Sequence, residues 1–90
     1  MIEKLEKKAA LQTLLLLYNC EKASRTDLRN NIKANIQTIY SALEILKKLE
    51  LIEEKAMESF PFTVYIYLTE KGRRVAEFLS EIEAVLKDKS

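Results

Sequence analysis

The chain has 90 residues, 48% of them hydrophobic, which is enough for one domain with a modest core. Its 15 basic and 14 acidic side chains leave a net charge of +1, which argues against a uniformly basic, histone-like DNA coating protein. With no histidine and a single cysteine, Cys20, the chain has neither a His/Cys metal site nor a thiol beside an imidazole base. We therefore expect no metal, no cofactor and no enzymatic activity.

Cys20 itself is predicted to be a small apolar residue of the core, with an intermolecular disulfide as the alternative. A lone cysteine suits a reducing compartment, and the apolar run at residues 14–17 is far too short to span a bilayer. The mixed lysines and glutamates before this run are unlike a secretory leader. We expect a cytoplasmic protein that contacts no membrane, folded as a single domain over residues 1–90.

The small net charge averages two segments of opposite sign. Residues 22–48 hold six basic and two acidic side chains, whereas residues 49–70 hold five acidic and one basic. DNA binding depends on where charge lies rather than on its sum, so the first segment is the candidate for contact with nucleic acid.

The apolar residues of segment 2–18 recur every three or four positions, which predicts a long first helix. Its second half is apolar on nearly every side and should be buried. The first half carries only a narrow stripe, Ile2, Leu5 and Ala9, which is typical of a helix that leaves its own core and meets a partner.

A second, short helix is predicted over residues 25–31, with Ser24 as its N-cap and Asp27 completing a capping box. After a tight turn at 31–34, Asn35 caps a third helix that runs to about residue 49. Tyr40 lies beside the predicted inward face of this helix, which consists of Ile36, Ile39, Leu43, Leu46 and Leu49.

Alternating apolar and polar residues predict strands over 51–57 and 63–68, joined by a tip that contains Phe60, Pro61 and Phe62. Thr69 then caps a final helix over about 70–87. Together these elements predict an α+β fold that is mostly α. The last helix carries a seam wide enough for a partner helix, formed by Val75, Phe78, Leu79, Ile82, Val85 and Leu86.

Three stretches in this order resemble the winged helix-turn-helix transcriptional regulators of the MarR and PadR type. They read SRTDLRNNIKANIQTIYSAL from residue 24, LKKLELIEEK from residue 46 and YLTEKG from residue 67, and the likeness covers about 11–79. The resemblance implies three helices, a two-stranded wing and a C-terminal dimerisation helix. It also implies a sequence-specific protein for double-stranded DNA, and the charged, Gly-poor chain suits an archaeal or archaeal-virus member. The residues that lock the two helices of the motif are then Leu28, Ile32, Thr38, Ile39, Ala42 and Leu43.

Two positions depart from the family pattern. Glu50 stands where the family usually has Gly after the recognition helix, and a left-handed Glu costs on the order of 1 kcal/mol, so a different turn is expected. The wing tip is acidic and aromatic rather than basic, because Glu58 lies beside its phenylalanines. Such a wing is poorly suited to phosphate contact.

If the third helix enters the major groove, short polar side chains on its outward face are predicted to contact bases: Asn35, Gln37, Thr38 and Ser41. An ordinary solvated helix face is the alternative. The residues predicted to contact phosphate flank this face: Arg25, Arg29, Lys33, Tyr40, Lys47 and Lys48. Tyr40 has a half-buried core edge as its alternative role. The start of the last helix carries three basic residues, Lys71, Arg73 and Arg74, although this end of a helix does not favour cations. They are explained either by solvation or by a neighbouring phosphate.

A two-fold homodimer is predicted from segments 1–10 and 75–88, with Ile2 and Leu5 joining the seam of the last helix at the interface. The competing function is a winged-helix protein-interaction module that does not bind DNA, which the aromatic tip favours locally. Whether a small-molecule effector binds is left open.

Overall fold

The computed structural model describes residues 8–60 and 62–88, and all structural statements below concern these residues. The elements in chain order are α1 (Lys8–Cys20), β1 (Lys22–Ser24), α2 (Arg25–Asn31), α3 (Ile36–Lys48), β2 (Ile52–Ala56), β3 (Val64–Leu68) and α4 (Glu70–Lys87). The predicted α+β, mostly helical winged-helix fold is confirmed. The predicted start of the first helix, with Ile2 and Leu5, lies outside the described residues. Ala9, the third residue of the predicted partner-facing stripe, is instead buried in the core of its own chain. No helix within them is long and apolar enough to cross a membrane.

The sheet has one strand more than the sequence predicted. All three strands pair antiparallel in the order β1-β3-β2, and Ala23 of β1 lies opposite Ile66 of β3. The predicted two-stranded wing is therefore extended at its base by β1, which follows α1 and leads into α2. A strand of three residues is too short to produce a recognisable alternation, so only its pairing with β3 reveals it.

The core draws on every helix and on the sheet. Its fully buried large side chains are Leu14, Leu17, Leu28, Ile39, Leu46 and Ile66. Ile36 was predicted to face inward, but it is 38% exposed, while Ala42 is buried in the same stripe of α3. Ile36 has the right spacing, yet it lies in the first turn of α3 at the edge of the core. Periodicity indicates which face of a helix is buried and not how far along the helix the core extends.

Cys20 was also assigned wrongly, because it is exposed rather than buried. It is the last residue of α1, and Glu21 after it takes a left-handed conformation with φ 68°. Cys20 lies three residues beyond the buried Leu17, a spacing that fits the core, but the chain leaves the helix there. The described structure gives Cys20 no packing role.

The turn after α3 is the left-handed one that Glu50 was expected to disfavour. Glu50 has φ 61°, and its N–H donates to the carbonyl of Lys47 over 3.0 Å. The N–H of Leu51 donates to the carbonyl of Leu46 over 2.9 Å, which completes a Schellman motif. The prediction of a different turn is therefore wrong: the chain keeps the turn and accepts a non-glycine residue in it, at a cost on the order of 1 kcal/mol.

The first turn of α4 packs directly on this Schellman turn. The hydroxyl of Thr69 donates to the carbonyl of Glu50 over 2.7 Å and accepts the N–H of Gly72 over 3.0 Å, so the cap joins two elements. The Thr69 N–H donates to the carbonyl of Leu51 over 3.0 Å. A Cβ on Gly72 would lie 1.9 Å from that same carbonyl oxygen. Only glycine fits here without moving α4 away from the turn.

Replacing Gly72 with alanine should therefore destabilise the protein. Helix propensity alone predicts a gain of about 1 kcal/mol, whereas the clash with the Leu51 carbonyl predicts a loss of about 1–3 kcal/mol. Urea unfolding of Gly72→Ala measures whether the clash or the gain in helix propensity is larger. Lys71→Ala, at the exposed neighbouring position, is the control and should stay within about 0.5 kcal/mol of the wild type. A Gly72→Ala variant as stable as the wild type would contradict the close packing.

Candidate nucleic-acid interface

The N-terminal half of α3 presents an exposed, uncharged polar face. Asn35 caps the helix, with its side-chain oxygen accepting the N–H of Thr38 over 2.8 Å. Gln37, Thr38 and Ser41 are exposed, and with Asn35 they line one shallow depression. The structure thus brings all four predicted base-contacting residues together. The cap occupies the oxygen of the Asn35 amide.

Three of the predicted phosphate-contacting residues, Arg25, Tyr40 and Lys47, lie together on the wing side of α3. The guanidinium carbon of Arg25 lies 5.3 Å from the ring centroid of Tyr40, which is 40% exposed. Arg25 Nη2 lies 3.5 Å from Glu54 Oε2, and Lys47 Nζ lies 3.2 Å from Glu54 Oε1. Tyr40 therefore stands at the surface under a guanidinium. Both cations already have an acidic partner within the protein.

The other predicted phosphate-contacting residues are Arg29 at the end of α2, Lys33 in the turn before α3, and Lys48 at the end of α3. All three are exposed. With Lys47, they place cations just before α3 in the chain and in its last turn.

The sequence analysis did not identify Glu54 as the ion-pair partner of Arg25 and Lys47. It was counted only as one acidic residue of the wing. A signal was available, because Glu54 occupies a position of β2 at which alternation from the buried Ile52 predicts an inward-facing apolar side chain. An acidic residue at such a position requires a partner.

The wing tip is exposed and apolar. Phe60 is 84% exposed and Phe62 is 59% exposed, and their rings meet edge to face with centroids 6.3 Å apart. Phe62 has φ 58°, an uncommon conformation for a bulky residue. On the outer face of the wing, Lys55 Nζ pairs with Glu53 over 3.5 Å and lies 5.4 Å from the ring centroid of Tyr67. The described wing therefore offers little unpaired positive charge to a phosphate.

The predicted seam on α4 divides into two parts. Val75 and Leu79 are partly buried against the core of their own chain. The four remaining side chains are more than half exposed: Phe78, Ile82, Val85 and Leu86.

The basic residues at the start of α4 lie close to acidic ones. Lys71 and Arg74 line the same shallow groove as Glu50 and Glu70. This proximity favours charge balance and solvation as the explanation for these cations over a phosphate neighbour. Among the described residues, no cluster of carboxylate or thiol side chains could hold a metal ion.

The chain is similar in fold to solved transcriptional regulators. It superposes over 92% of its length on 81% of the reduced transcriptional regulator YodB from Bacillus subtilis, with a TM-score of 0.78 and 19% identity. FabT from Streptococcus pneumoniae, solved in complex with DNA, matches 94% of the chain with a TM-score of 0.77 and 16% identity. A mutant of ZitR from Lactococcus lactis in apo form matches 94% of the chain with a TM-score of 0.78 and 26% identity. The chain spans 66% of FabT and 64% of ZitR.

No family model matches the chain, and no curated protein matches its sequence. Its likeness to known proteins is therefore one of structure, and it shows a winged-helix fold shared with transcriptional regulators.

Proposed function

We propose that the protein is a sequence-specific double-stranded DNA-binding transcriptional regulator of the MarR and PadR type, with α3 as its recognition helix in the major groove. The observation that carries the proposal is the exposed polar face of α3, flanked by cations within a winged-helix fold. The structure of FabT in complex with DNA supports it, because that protein shares the fold. A solvated face without function more often carries Lys and Glu than the Gln, Thr and Ser found here.

The side chains of this face have the chemistry needed to read base edges. The amide of Gln37 can pair with the N6 and N7 groups of adenine, using both its donor and its acceptor. Thr38 and Ser41 add hydroxyls, and Thr38 adds a methyl group that can contact thymine. Asn35 keeps its amide nitrogen for a base, while its oxygen caps the helix.

Phosphate contacts would position the helix. Arg29 lies in α2 and Lys33 in the turn before α3, whereas Lys47 and Lys48 end α3. Phosphates near either end of the helix would therefore meet cations. These contacts are independent of sequence and release counterions, which makes the binding salt-dependent.

The second candidate function is a protein-docking module, and the exposed Phe60 and Phe62 favour it. A gel-shift titration on random duplex DNA at two salt concentrations separates the two. DNA binding that weakens steeply with salt supports the regulator, and no shift even at low salt supports docking.

The proposed assembly is a two-fold dimer in which the exposed residues of α4 pack against a second copy, with segment 1–10 contributing. The side chains Phe78, Ile82, Val85 and Leu86 form a continuous apolar stripe at the end of α4. A dimer would place two copies of α3 on successive major grooves, about 34 Å apart.

Base-contacting and phosphate-contacting residues should respond differently to substitution. Gln37→Ala or Ser41→Ala should cost about 1–3 kcal/mol on the preferred site and much less on random duplex, because a base-edge contact is lost. Arg29→Ala or Lys33→Ala should weaken binding to both duplexes alike and reduce the salt slope by about one unit per phosphate released. Fluorescence anisotropy titrations of both duplexes at several salt concentrations measure both effects.

Folded Gln37 and Ser41 variants that bind every duplex like the wild type would remove α3 as a recognition helix. The protein-docking function would then be the better supported of the two.

The wild type should contain two chains per particle at micromolar concentration, measured by multi-angle light scattering. Ile82→Glu should give a monomer, because it places a charge in the apolar stripe. Glu81→Gln, at the neighbouring exposed position, is the control and should remain dimeric. A monomeric wild type would contradict the proposed assembly.

The wing tip should contribute little to DNA affinity. Replacing Phe60 and Phe62 together with serine should change the affinity for duplex DNA by less than about twofold, because the tip offers no cation for phosphate. Circular dichroism checks that the variant remains folded. A tenfold loss of affinity in a folded variant would show that the wing contacts DNA.

A further inference from the structure

Glu54 is a charged residue on the same face of β2 as the buried Ile52. It lies opposite Ile66, which is fully buried, in the pairing of β2 with β3. Glu53 and Lys55 lie on the other face of the strand, because successive side chains of a strand alternate. The Glu54 side chain is only 20% exposed, whereas that of Glu53 is 49% exposed. The fold thus withdraws this carboxylate partly from water.

Each oxygen of the carboxylate has its own cation. Oε2 lies 3.5 Å from Nη2 of Arg25, the first residue of α2, and Oε1 lies 3.2 Å from Nζ of Lys47, near the end of α3. Both cations are half exposed, with side-chain exposures of 50%. The carboxylate therefore connects the wing to both helices of the helix-turn-helix motif.

The Glu54 carboxylate can bind Arg25 and Lys47 in the same way as a DNA phosphate, because both groups are anions that accept charge-assisted hydrogen bonds. The two cations are among the residues expected to hold phosphate. They also share one small depression with Tyr40 and Glu54, on the wing side of α3. Glu54 thus lies where an incoming phosphate would have to compete for the same donors.

We infer that Glu54 is an internal competitor of the DNA backbone, a residue that limits phosphate binding by Arg25 and Lys47. This inference rests on the proposed function and adds to it a residue that sets affinity. A phosphate gains these two cations only by displacing or sharing the Glu54 carboxylate. The cost is the same on every DNA sequence, so Glu54 lowers electrostatic affinity and leaves the reading of bases to α3.

A structural role is the competing explanation. β2 lies at an edge of the sheet, and an inward-pointing charge on an edge strand discourages pairing with another chain. That role accounts for a charge at position 54. It does not require ion pairs with Arg25 and Lys47.

The test compares Glu54→Gln with Glu53→Gln on preferred and random duplexes across a range of salt concentrations. Both variants remove one negative charge from adjacent residues of β2, so long-range attraction to DNA changes equally. Glu54→Gln should bind both duplexes about three- to tenfold more tightly, because two exposed ion pairs no longer oppose phosphate. Its salt slope should steepen by about one to two units, as Arg25 and Lys47 each gain a phosphate. Glu53→Gln should show a smaller gain and an unchanged slope.

A second comparison separates release of the two cations from any other effect of Glu54→Gln. In a chain with Arg25→Gln and Lys47→Gln, adding Glu54→Gln should raise affinity no more than Glu53→Gln does, because no cation remains to be released. Thermal unfolding of each variant checks that it is folded.

Three outcomes would overturn the inference. If Glu54→Gln binds DNA with the same affinity as Glu53→Gln, Glu54 prevents the edge strand from pairing with another chain and does not compete with phosphate. If Glu54→Gln binds DNA more weakly than the wild type, Glu54 positions the two cations instead. If the wild type shows no salt-dependent binding to any duplex, the proposed function fails and the inference fails with it.

Discussion

The carbonyl oxygen of Leu51 is the point on which the arrangement of α3, the wing and α4 depends. It accepts the N–H of Thr69, and the absent side chain of Gly72 allows α4 to pack against it. The Schellman turn at Glu50 presents this carbonyl in the required direction. One contact therefore fixes the end of α3 relative to α4, the helix that carries the exposed apolar stripe. If α4 forms the dimer, this rigid joint also sets the distance between the two copies of α3.

Charge in this protein acts locally rather than through its sum. The helix-turn-helix segment is positive and the wing is negative, and Glu54 of the wing connects the two through Arg25 and Lys47. A chain with almost no net charge can thus present cations near a polar helix face while two of these cations form ion pairs with Glu54. In the proposed regulator, this arrangement would lower the affinity for random DNA, because non-specific affinity comes almost entirely from phosphate contacts.

Features that depend on neighbours along the chain could be predicted from the sequence. The caps at Ser24, Asn35 and Thr69 are all observed, because each requires only residues within three positions of itself. Features set by distant contacts could not be predicted. Cys20 and Ile36 have core spacing, but they lie at helix ends where the core stops. For the same reason the sequence did not reveal the third strand, which exists only through its pairing with β3. It also did not reveal which residues pair with Glu54, because these lie 29 and seven positions away. The polar face of α3 was predicted as a group, since a single helix places it.

Selection of bound duplexes from a random pool by the purified wild-type chain tests most directly whether α3 reads sequence. We expect the bound pool to converge on a two-fold symmetric motif, with half-sites about one helical turn apart. Selection by a folded Gln37→Ala variant should lose information at one position of each half-site. A wild-type pool that remains as random as the input, while the protein still retains duplex DNA at low salt, would contradict sequence recognition by α3. The protein would then bind DNA through its charge alone.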